Sequence, residues 1–530
     1  MEPKDHSPGF LPWDWVGGKE PSLKHRRVWI ASLIWLTTLT AAAAQGGDLG
    51  RTDFPTSGSP AAQEHFLRGL LALHSFEYRD AREEFRKARE IEPGFAMAAW
   101  GEAMTCNHPL WHEEDLDSAR AALESLAPTP EERLAKAPTE REKAYLGAVE
   151  ILFGDGDKLA RDLAYADATR RLMEAHPEDL DAASFHALAL LGTCHEGRDA
   201  ATYMKAAAIV ERVFDANPLH PGAAHYLIHS YDDPVHAPLG LRPAQVYAQI
   251  APAAEHALHM PSHVFLALGM WEETAASNVA SYEAGEDRRR REDAGVDERG
   301  YHAMLWLHYA NLQLGRFDEA RKLLDLIAAD AEVSDSRRTR GHFAQMRAEW
   351  AVETERWDEL PPGPDLADLS PDAVASDLFA SGYAAVRRGD LDAAEKILAG
   401  FGDRYRAAAN EDDQATVSCE GYSRFGPVQL VAPRIMELEL DAVIRFARGE
   451  RDEALKLVEE AAAAEETRSF GFGPPVPAKP AHELWGELLL AAGRPEEARE
   501  RFETALERAP KRARSLQGLL AAARQAGDGS

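Results

Sequence analysis

The chain has 530 residues and a formal net charge of −30, from 59 basic and 89 acidic residues. Ala, Leu, Glu and Arg dominate it, and periodic β-branched runs do not occur, so we predict an all-α protein built from more than one compact unit. The acidic charge, without a basic face, argues against nucleic acid and anionic membrane surfaces as partners.

The first 45 residues have the pattern of a secretory signal peptide. A basic flank ends at Arg27, and an uncharged run of 17 residues follows from Val28 to Ala44 and closes on small residues. Such a run enters the membrane while its basic flank stays inside, so residues 1–45 predict an exported protein, periplasmic or secreted. An uncleaved anchor is the alternative, although a span needs about 20 residues. We expect the Gly-, Ser- and Pro-rich residues 46–60 to form a flexible leader.

Residues 62–95 and a segment near the C-terminus resemble the tetratricopeptide repeat (TPR), a helix–turn–helix unit of about 34 residues. Small residues stand where the two helices must approach closely, and an aromatic residue fills the seam. The matching positions in the two units are Gly69, Tyr78, Ala81, Phe85, Ala88 and Pro93, and Gly486, Gly493, Ala498, Phe502, Ala505 and Pro510. Weaker copies lie between them. Stacked units of this kind predict a right-handed α-solenoid with inserted loops and a concave groove.

The repeat pattern also suggests a division of the chain. We assign an N-terminal TPR-like solenoid with histidine-rich segments to 61–285, middle repeats to 286–410, C-terminal repeats with long loops to 411–525 and a tail to 526–530. The segments HPGAAHYLIHSYDDP, HMPSHVFLALGMW and FGFGPPVPAKPAHELWGELLLAAGRPEEA resemble those of a group of exported bacterial TPR proteins. This resemblance implies the fold and export, and it implies no reaction.

Seven of the chain's 20 histidines lie in the 44 residues from His220 to His263. His225 and His229 are four apart, which places both imidazoles on one face of a helix. Pro261 would break a helix interior, so we place it in the first turn of a helix that runs through Leu268, with His263 in the same turn and His256 and His259 in the segment before it. The stretch therefore offers several imidazoles on neighbouring helices.

Clustered imidazoles suit copper, zinc or nickel, and a location outside the cytoplasm favours copper or zinc. The candidate metal ligands are His225, His229, His256, His259, His263 and Asp232. We expect His225, His229, His259 and His263 to hold the ion, with the other two in reserve. Secondary candidates are His108, His112, His186 and His195.

A histidine on such a helix can instead hydrogen-bond a loop carbonyl, and we assign His308 and His482 to that structural role. The same role is an alternative for the whole cluster, and an anionic ligand held by partly protonated histidines is a third interpretation. The three cysteines, Cys106, Cys194 and Cys419, form no CxxC pair and indicate no disulfide framework. No P-loop, GxSxG or HExxH motif occurs.

The sequence therefore predicts a non-enzymatic scaffold that binds a protein or peptide partner in its concave groove. It predicts no nucleic-acid partner and no membrane contact after signal cleavage. The alternative is a metal-binding protein or metalloenzyme that holds copper or zinc outside the cytoplasm.

Overall fold

The computed structural model describes residues 48–414, 423, 424 and 430–528. The predicted signal peptide (1–45) and Cys419 lie outside the described residues, while Cys106 and Cys194 carry free thiols. No helix in the described ranges is both long enough and apolar enough to cross a membrane.

Helices account for most of the described chain. The α-helices are α1 (Pro60–His74), α2 (Tyr78–Ile91), α3 (Ala96–Met104), α4 (Leu116–Glu124), α5 (Pro130–Lys136), α6 (Glu140–Leu152), α7 (Lys158–Ala175), α8 (Leu180–Gly192), α9 (Ala200–Ala216), α10 (Pro221–Tyr231), α11 (Ala237–Ile250), α12 (Glu255–His259), α13 (Pro261–Ala267), α14 (Trp271–Arg291), α15 (Tyr301–Gln313), α16 (Phe317–Val333), α17 (Arg337–Thr354), α18 (Pro371–Arg387), α19 (Leu391–Gln414), α20 (Val431–Ala447), α21 (Arg451–Glu466), α22 (Ala481–Ala491), α23 (Pro495–Arg508) and α24 (Ala513–Asp528). Short 3-10 helices cover Val296–Glu298 and Trp357–Glu359. Three two-residue strands, β1 (Asn107–His108), β2 (Glu113–Glu114) and β3 (Ser423–Arg424), form an antiparallel sheet in that order.

The repeat pattern translates directly into helical hairpins. Gly69 of α1 faces Phe85 of α2, and a Cβ at Gly69 would lie 2.9 Å from the Phe85 ring. Gly486 of α22 faces Phe502 of α23 in the same way, at 2.7 Å. Because no larger residue fits without moving the ring, each glycine sets the close approach of its two helices.

The hairpins stack in chain order. Consecutive helices pair as α1 with α2, α8 with α9, α10 with α11, α15 with α16 and α22 with α23. Each hairpin also packs on the next, as α9 does on α10 and α17 on α18. The chain is an all-α solenoid of TPR-like helix–turn–helix units, which confirms the predicted fold class.

The last repeats reach back to the middle of the solenoid. Arg512, fully buried just before α24, donates from Nη1 to the Tyr309 hydroxyl at 2.7 Å and from Nε to Glu483 at 2.8 Å. Trp271 donates from Nε1 to the carbonyl of Lys511 at 3.2 Å. These contacts hold the residues before α24 against α14, α15 and α22.

The predicted flexible leader differs from the structure over its described part, which packs on the domain. Phe54 is 1% exposed and lies 5.3 Å from the Phe66 ring and 5.1 Å from the Tyr145 ring. The Arg51 amide donates to the Leu219 carbonyl at 2.9 Å. An aromatic anchor and backbone hydrogen bonds therefore hold a segment whose composition resembles that of a loop.

The predicted division of the chain also differs from the structure. The boundary at 285/286 falls inside α14, and the boundary at 410/411 falls inside α19. The described residues all fall in one compact unit. A solenoid has no internal domain border because every repeat shares its core with the next.

Candidate metal centre

Neighbouring helices from α10 to α13 carry the histidine stretch. His225 and His229 lie one turn apart on α10, with ring centres 4.9 Å apart, as their spacing predicts. Pro261 is the first residue of α13, which confirms its predicted place in a first turn. The break between α12 and α13 leaves the rings of His259 and His263 5.0 Å apart.

Six imidazoles converge there in two groups of three. In each group one ligand atom of every member lies within 4.8 Å of the others; the first group is His225, His229 and His256, and the second is His259, His263 and His302. In the first group the Nε2 atoms of His225 and His256 are 3.2 Å apart. In the second group Nε2 of His259 lies 3.1 Å from that of His263 and 3.0 Å from that of His302. The two groups adjoin, since the rings of His229 and His263 are 5.2 Å apart.

Hydrogen bonds fix the protonated nitrogen of one imidazole in each group. Nδ1 of His225 donates to the carbonyl of His74 at 2.7 Å, in the last turn of α1 where helical carbonyls lack partners. Nδ1 of His259 donates to Oδ1 of Asn278 at 2.7 Å. The Asn278 amide is oriented by its own donation to the carbonyl of Thr274. The proton of His225 and that of His259 are therefore on Nδ1, and each Nε2 carries a lone pair.

Asp232 fixes the protonated nitrogen of two further imidazoles, one in each group. Nδ1 of His229 and Nδ1 of His263 donate to the same Asp232 oxygen, at 3.2 and 3.0 Å, while Arg198 ion-pairs with the other oxygen. Nε2 of His229 is buried and has no hydrogen-bond partner among the described residues. Nε2 of His263 faces Nε2 of His259, lone pair to lone pair. A bound cation would satisfy both arrangements, because imidazole lone pairs coordinate transition-metal ions.

This geometry fits a transition-metal ion. Zinc–nitrogen bonds of about 2.0–2.1 Å in a tetrahedral shell place ligand nitrogens about 3.3–3.4 Å apart. The shortest Nε2–Nε2 separations in the two groups are 3.0, 3.1 and 3.2 Å. Metal-bound histidines also typically donate their other ring nitrogen to a carboxylate, a carbonyl or an amide oxygen, as these four do.

Burial keeps the imidazoles in the neutral form that binds metal. It lowers the pKa of His225 to about 3 and that of His259 to about 4. Burial, with the neighbouring imidazoles adding to it, holds the pKa well below its usual value in His229, His256, His263 and His302.

Aromatic side chains enclose the second group. The Trp306 ring lies 4.8 Å from that of His259 and 4.6 Å from that of His263. Phe472, from the loop between α21 and α22, stacks on His263 at 5.2 Å. Gly473 allows this approach because it has a left-handed φ of +99° and a Cβ there would lie 2.8 Å from Trp306.

A cleft of about 480 Å³ borders the second group. Its walls include His263, Asp232, Phe470, Phe472 and Trp271. The volume lies within the range of about 300–1,000 Å³ that small-ligand sites occupy. A ligand in the cleft would therefore lie next to an imidazole of the cluster.

A neighbouring His–Asp–His group has a different character. The Tyr226 hydroxyl donates to Nδ1 of His74 at 2.9 Å, so Nε2 of His74 carries the proton that it donates to Asp181 at 2.8 Å. The Ala223 amide donates to Nδ1 of His220 at 3.1 Å, which leaves the protonated Nε2 of His220 3.3 Å from Asp181. Nε2 of His220 makes no hydrogen bond among the described residues, but both histidines of this group lie against the Asp181 carboxylate, which supports the fold and the His74 carbonyl that orients His225.

The secondary candidates do not join the cluster. Within the described residues, none of the three-ligand groups includes His108, His112, His186 or His195. His186 contacts Thr169 through Nδ1 at 3.2 Å, and His195 donates to Asp162 at 2.8 Å. His308, assigned to a structural role, donates from Nδ1 to the Ala320 carbonyl at 3.0 Å, and His482 donates to Glu466 at 3.0 Å.

Sequence reasoning missed some features of the cluster and grouped others differently. His302, the second residue of α15, completes the second group, and Asn278 orients His259. The four expected ligands of one ion divide between the groups, and Asp232 contacts two imidazoles through their protonated nitrogens. The signal for His302 was its place near the start of the next inner helix, the position that His263 holds in α13.

Comparison with known proteins adds little to this description. No family model matches the chain, and no curated protein matches it. Among solved structures it is similar to the APC/C hetero-tetramer Cut9–Hcn1 (12% identity, 88% of this chain and 78% of that chain, TM-score 0.36) and to yeast Tom70 (13%, 88% and 89%, TM-score 0.33). It is also similar to the P58(IPK) TPR domain (12%, 88% and 99%, TM-score 0.22). At such identities and TM-scores, the evidence for the fold is the chain's own helix packing.

Proposed function

We propose that this solenoid is a metal-binding protein that holds copper or zinc in the histidine cluster. The observation that carries the proposal is the set of bare Nε2 atoms on His225, His229, His259 and His263. Each has its proton fixed on Nδ1 by an oxygen acceptor, and His229 Nε2 has no protein partner within the described residues.

The ligand set accounts for the choice of metal. Imidazole nitrogen suits copper and zinc, whereas a calcium or magnesium ion takes oxygen ligands. No cysteine belongs to the three-ligand groups found among the described residues. A metal bound there would act as a Lewis acid or a redox centre, and the chain's own contribution is to orient the rings, keep them neutral and shield them with Trp306 and Phe472.

We place this function outside the cytoplasm. The support is the sequence pattern of residues 1–45, with its basic flank, apolar run and small residues. Metal would then load after export, where copper and zinc are handled by binding proteins.

A second candidate function is the scaffold role, with a peptide or protein partner in the concave groove. The cleft beside the cluster favours it, because Phe470, Phe472 and Trp271 offer aromatic contact surface. The two functions coexist if a metal ion holds the inner helices of a binding groove in place.

Elemental analysis tests the metal function. The mature protein, purified without a His tag from a periplasmic fraction, should contain copper or zinc, and the His225→Ala/His229→Ala double variant should contain less. A matched His308→Ala variant should keep its metal, because His308 is buried but donates to a carbonyl away from the cluster. Absence of metal from the parent, even after incubation with copper and zinc, would refute this function and leave the scaffold alone.

A further inference from the structure

We propose that the cluster is a dinuclear centre, with one metal ion in each group of three imidazoles. This inference rests on the proposed metal-binding function and specifies its stoichiometry. It assigns the first ion to His225, His229 and His256 and the second to His259, His263 and His302.

Without metal, each group keeps one imidazole that the protein cannot satisfy. In the first group His256 can donate to the bare Nε2 of His225 across their 3.2 Å contact, which still leaves Nε2 of His229 without a partner. In the second group His302 can donate to the bare Nε2 of His259 at 3.0 Å, which leaves Nε2 of His263 facing an acceptor. The convergence of three ligand atoms within 4.8 Å in each group, together with one lone pair that no protein donor reaches, supports one ion in each group.

A single ion cannot serve all six imidazoles. Among the described residues, the one three-ligand group that draws on both sides is His229, Asp232 and His263. That group meets at the protonated Nδ1 atoms, and Arg198 already supplies positive charge to Asp232 there. A cation at that point would displace two protons and lie against a guanidinium, so the favourable positions are the two on the Nε2 sides.

The two ions would share one orienting carboxylate, and each would keep an open coordination position. Asp232 orients one imidazole of each group, so it joins the two coordination shells. Three protein ligands leave each ion a further position for water or another ligand, as in catalytic metal sites. His263 borders the cleft, so the second ion would be the one that a ligand in the cleft reaches.

Counting ions separates the two proposals. The parent chain is freed of metal by a chelator and then dialysed against copper(II) or zinc. Elemental mass spectrometry should then find two retained ions per chain. His256→Ala and His302→Ala remove the half-buried third ligand of each group, and each should retain one ion. His176→Ala, at the partly exposed residue that follows α7, is the control and should retain two ions.

Copper resonance spectra give a second readout, and its main observation is made on the parent chain alone. Copper(II) in the parent should show dipolar broadening from a neighbouring copper ion, and either single-group variant should show an unbroadened signal. Circular dichroism checks that each variant keeps its helices.

The outcomes are distinct. Two ions in the parent, one in each variant and a broadened parent signal would support the dinuclear centre. One ion in the parent, with no broadening, would overturn it and leave the metal-binding function intact. No ion in the parent would overturn both.

Discussion

Asp232 offers the sharpest test of how the cluster is built. One of its oxygens accepts from His229 at 3.2 Å and from His263 at 3.0 Å, and the other faces Arg198. Asp232→Asn keeps the shape but exchanges an oxygen for an amide donor. The new donor must face either the two Nδ1–H groups or the Arg198 guanidinium, so the variant loses contacts whichever way the amide turns.

The expected loss of metal affinity follows from the role of Asp232 as the partner of ligating imidazoles. Removing such a partner weakens metal binding by about 10- to 100-fold, or about 1.4–2.7 kcal/mol for each ion. Because Asp232 serves one histidine of each group, both ions should be affected. The metal-free protein should also lose about 1–3 kcal/mol of stability, because a buried guanidinium loses one of its two carboxylates.

Asp233→Asn is the matched control. Asp233 pairs with the same guanidinium at 3.2 Å and with His236 at 2.8 Å, and among the described residues it forms no hydrogen bond to the six clustered imidazoles. It should lower the melting temperature to a similar extent and leave metal affinity unchanged. Competition with a chromophoric chelator measures the affinity. Equal affinities for the parent and Asp232→Asn, or equal weakening in both variants, would refute the assignment of Asp232.

Three further predictions concern the scaffold. Gly486→Val should destabilise the last hairpin by about 1–3 kcal/mol in urea unfolding, because its Cβ would lie 2.7 Å from the Phe502 ring, whereas Gly94→Val should have little steric effect because no heavy atom lies within 4 Å. Phe54→Ala should cost about 3–5 kcal/mol, and a much smaller loss would show that residues 48–59 contribute little to stability. Burial raises the pKa of Glu439 well above its usual value, so the folded chain keeps a proton that the unfolded chain releases, and stability falls as pH rises above about 4.5. Glu439→Gln should therefore raise the melting temperature at about pH 8 relative to the parent and change it little at about pH 4; an equal shift at both would contradict the buried neutral carboxyl.

The hairpins were predictable because their packing rule is local. The spacing of Gly69 from Phe85 is set within one repeat, and the sequence carries it without reference to the rest of the chain. The end of α14 was not predictable from composition alone, since a run of mixed charge is also typical of a loop. In the structure Arg289 pairs with Glu286 at 3.0 Å one turn away, and arginines in the last turn favour the negative end of the helix dipole.

The predicted flexible leader, residues 46–60, shows why composition alone does not reveal whether a segment is anchored. Its Gly, Ser and Pro content describes the backbone, which follows no regular element between residues 48 and 59. What fixes the segment is a single aromatic side chain, Phe54, together with polar contacts such as that of Thr52 with Asp181 at 2.6 Å. Composition averages over a segment, whereas anchoring depends on one residue and on a pocket built by distant helices.

The histidine cluster depends both on spacing within one helix, which the sequence shows, and on packing between hairpins, which it does not show. The spacing of His225 and His229 on one helix face was readable because it depends on α10 alone. The division into two groups was not, because it depends on how far each hairpin is rotated against the next. That rotation brings His302 of α15 to His259 of α12, and it brings Phe472 from a loop more distant in sequence onto His263.

The helices that each group joins suggest how bound metal would change the stability of the solenoid. In a solenoid, stability is the sum of each repeat and of its interface with the next. The first group joins α10 to α12, and the second joins α12 and α13 to α15, so two ions would strengthen two successive interfaces. Since a ligand that binds only the folded state adds about 2.7 kcal/mol at a concentration 100 times its Kd, metal should stabilise these hairpins more than the distant C-terminal ones. Hydrogen exchange with and without metal would reveal that gradient, and uniform protection along the chain would contradict it.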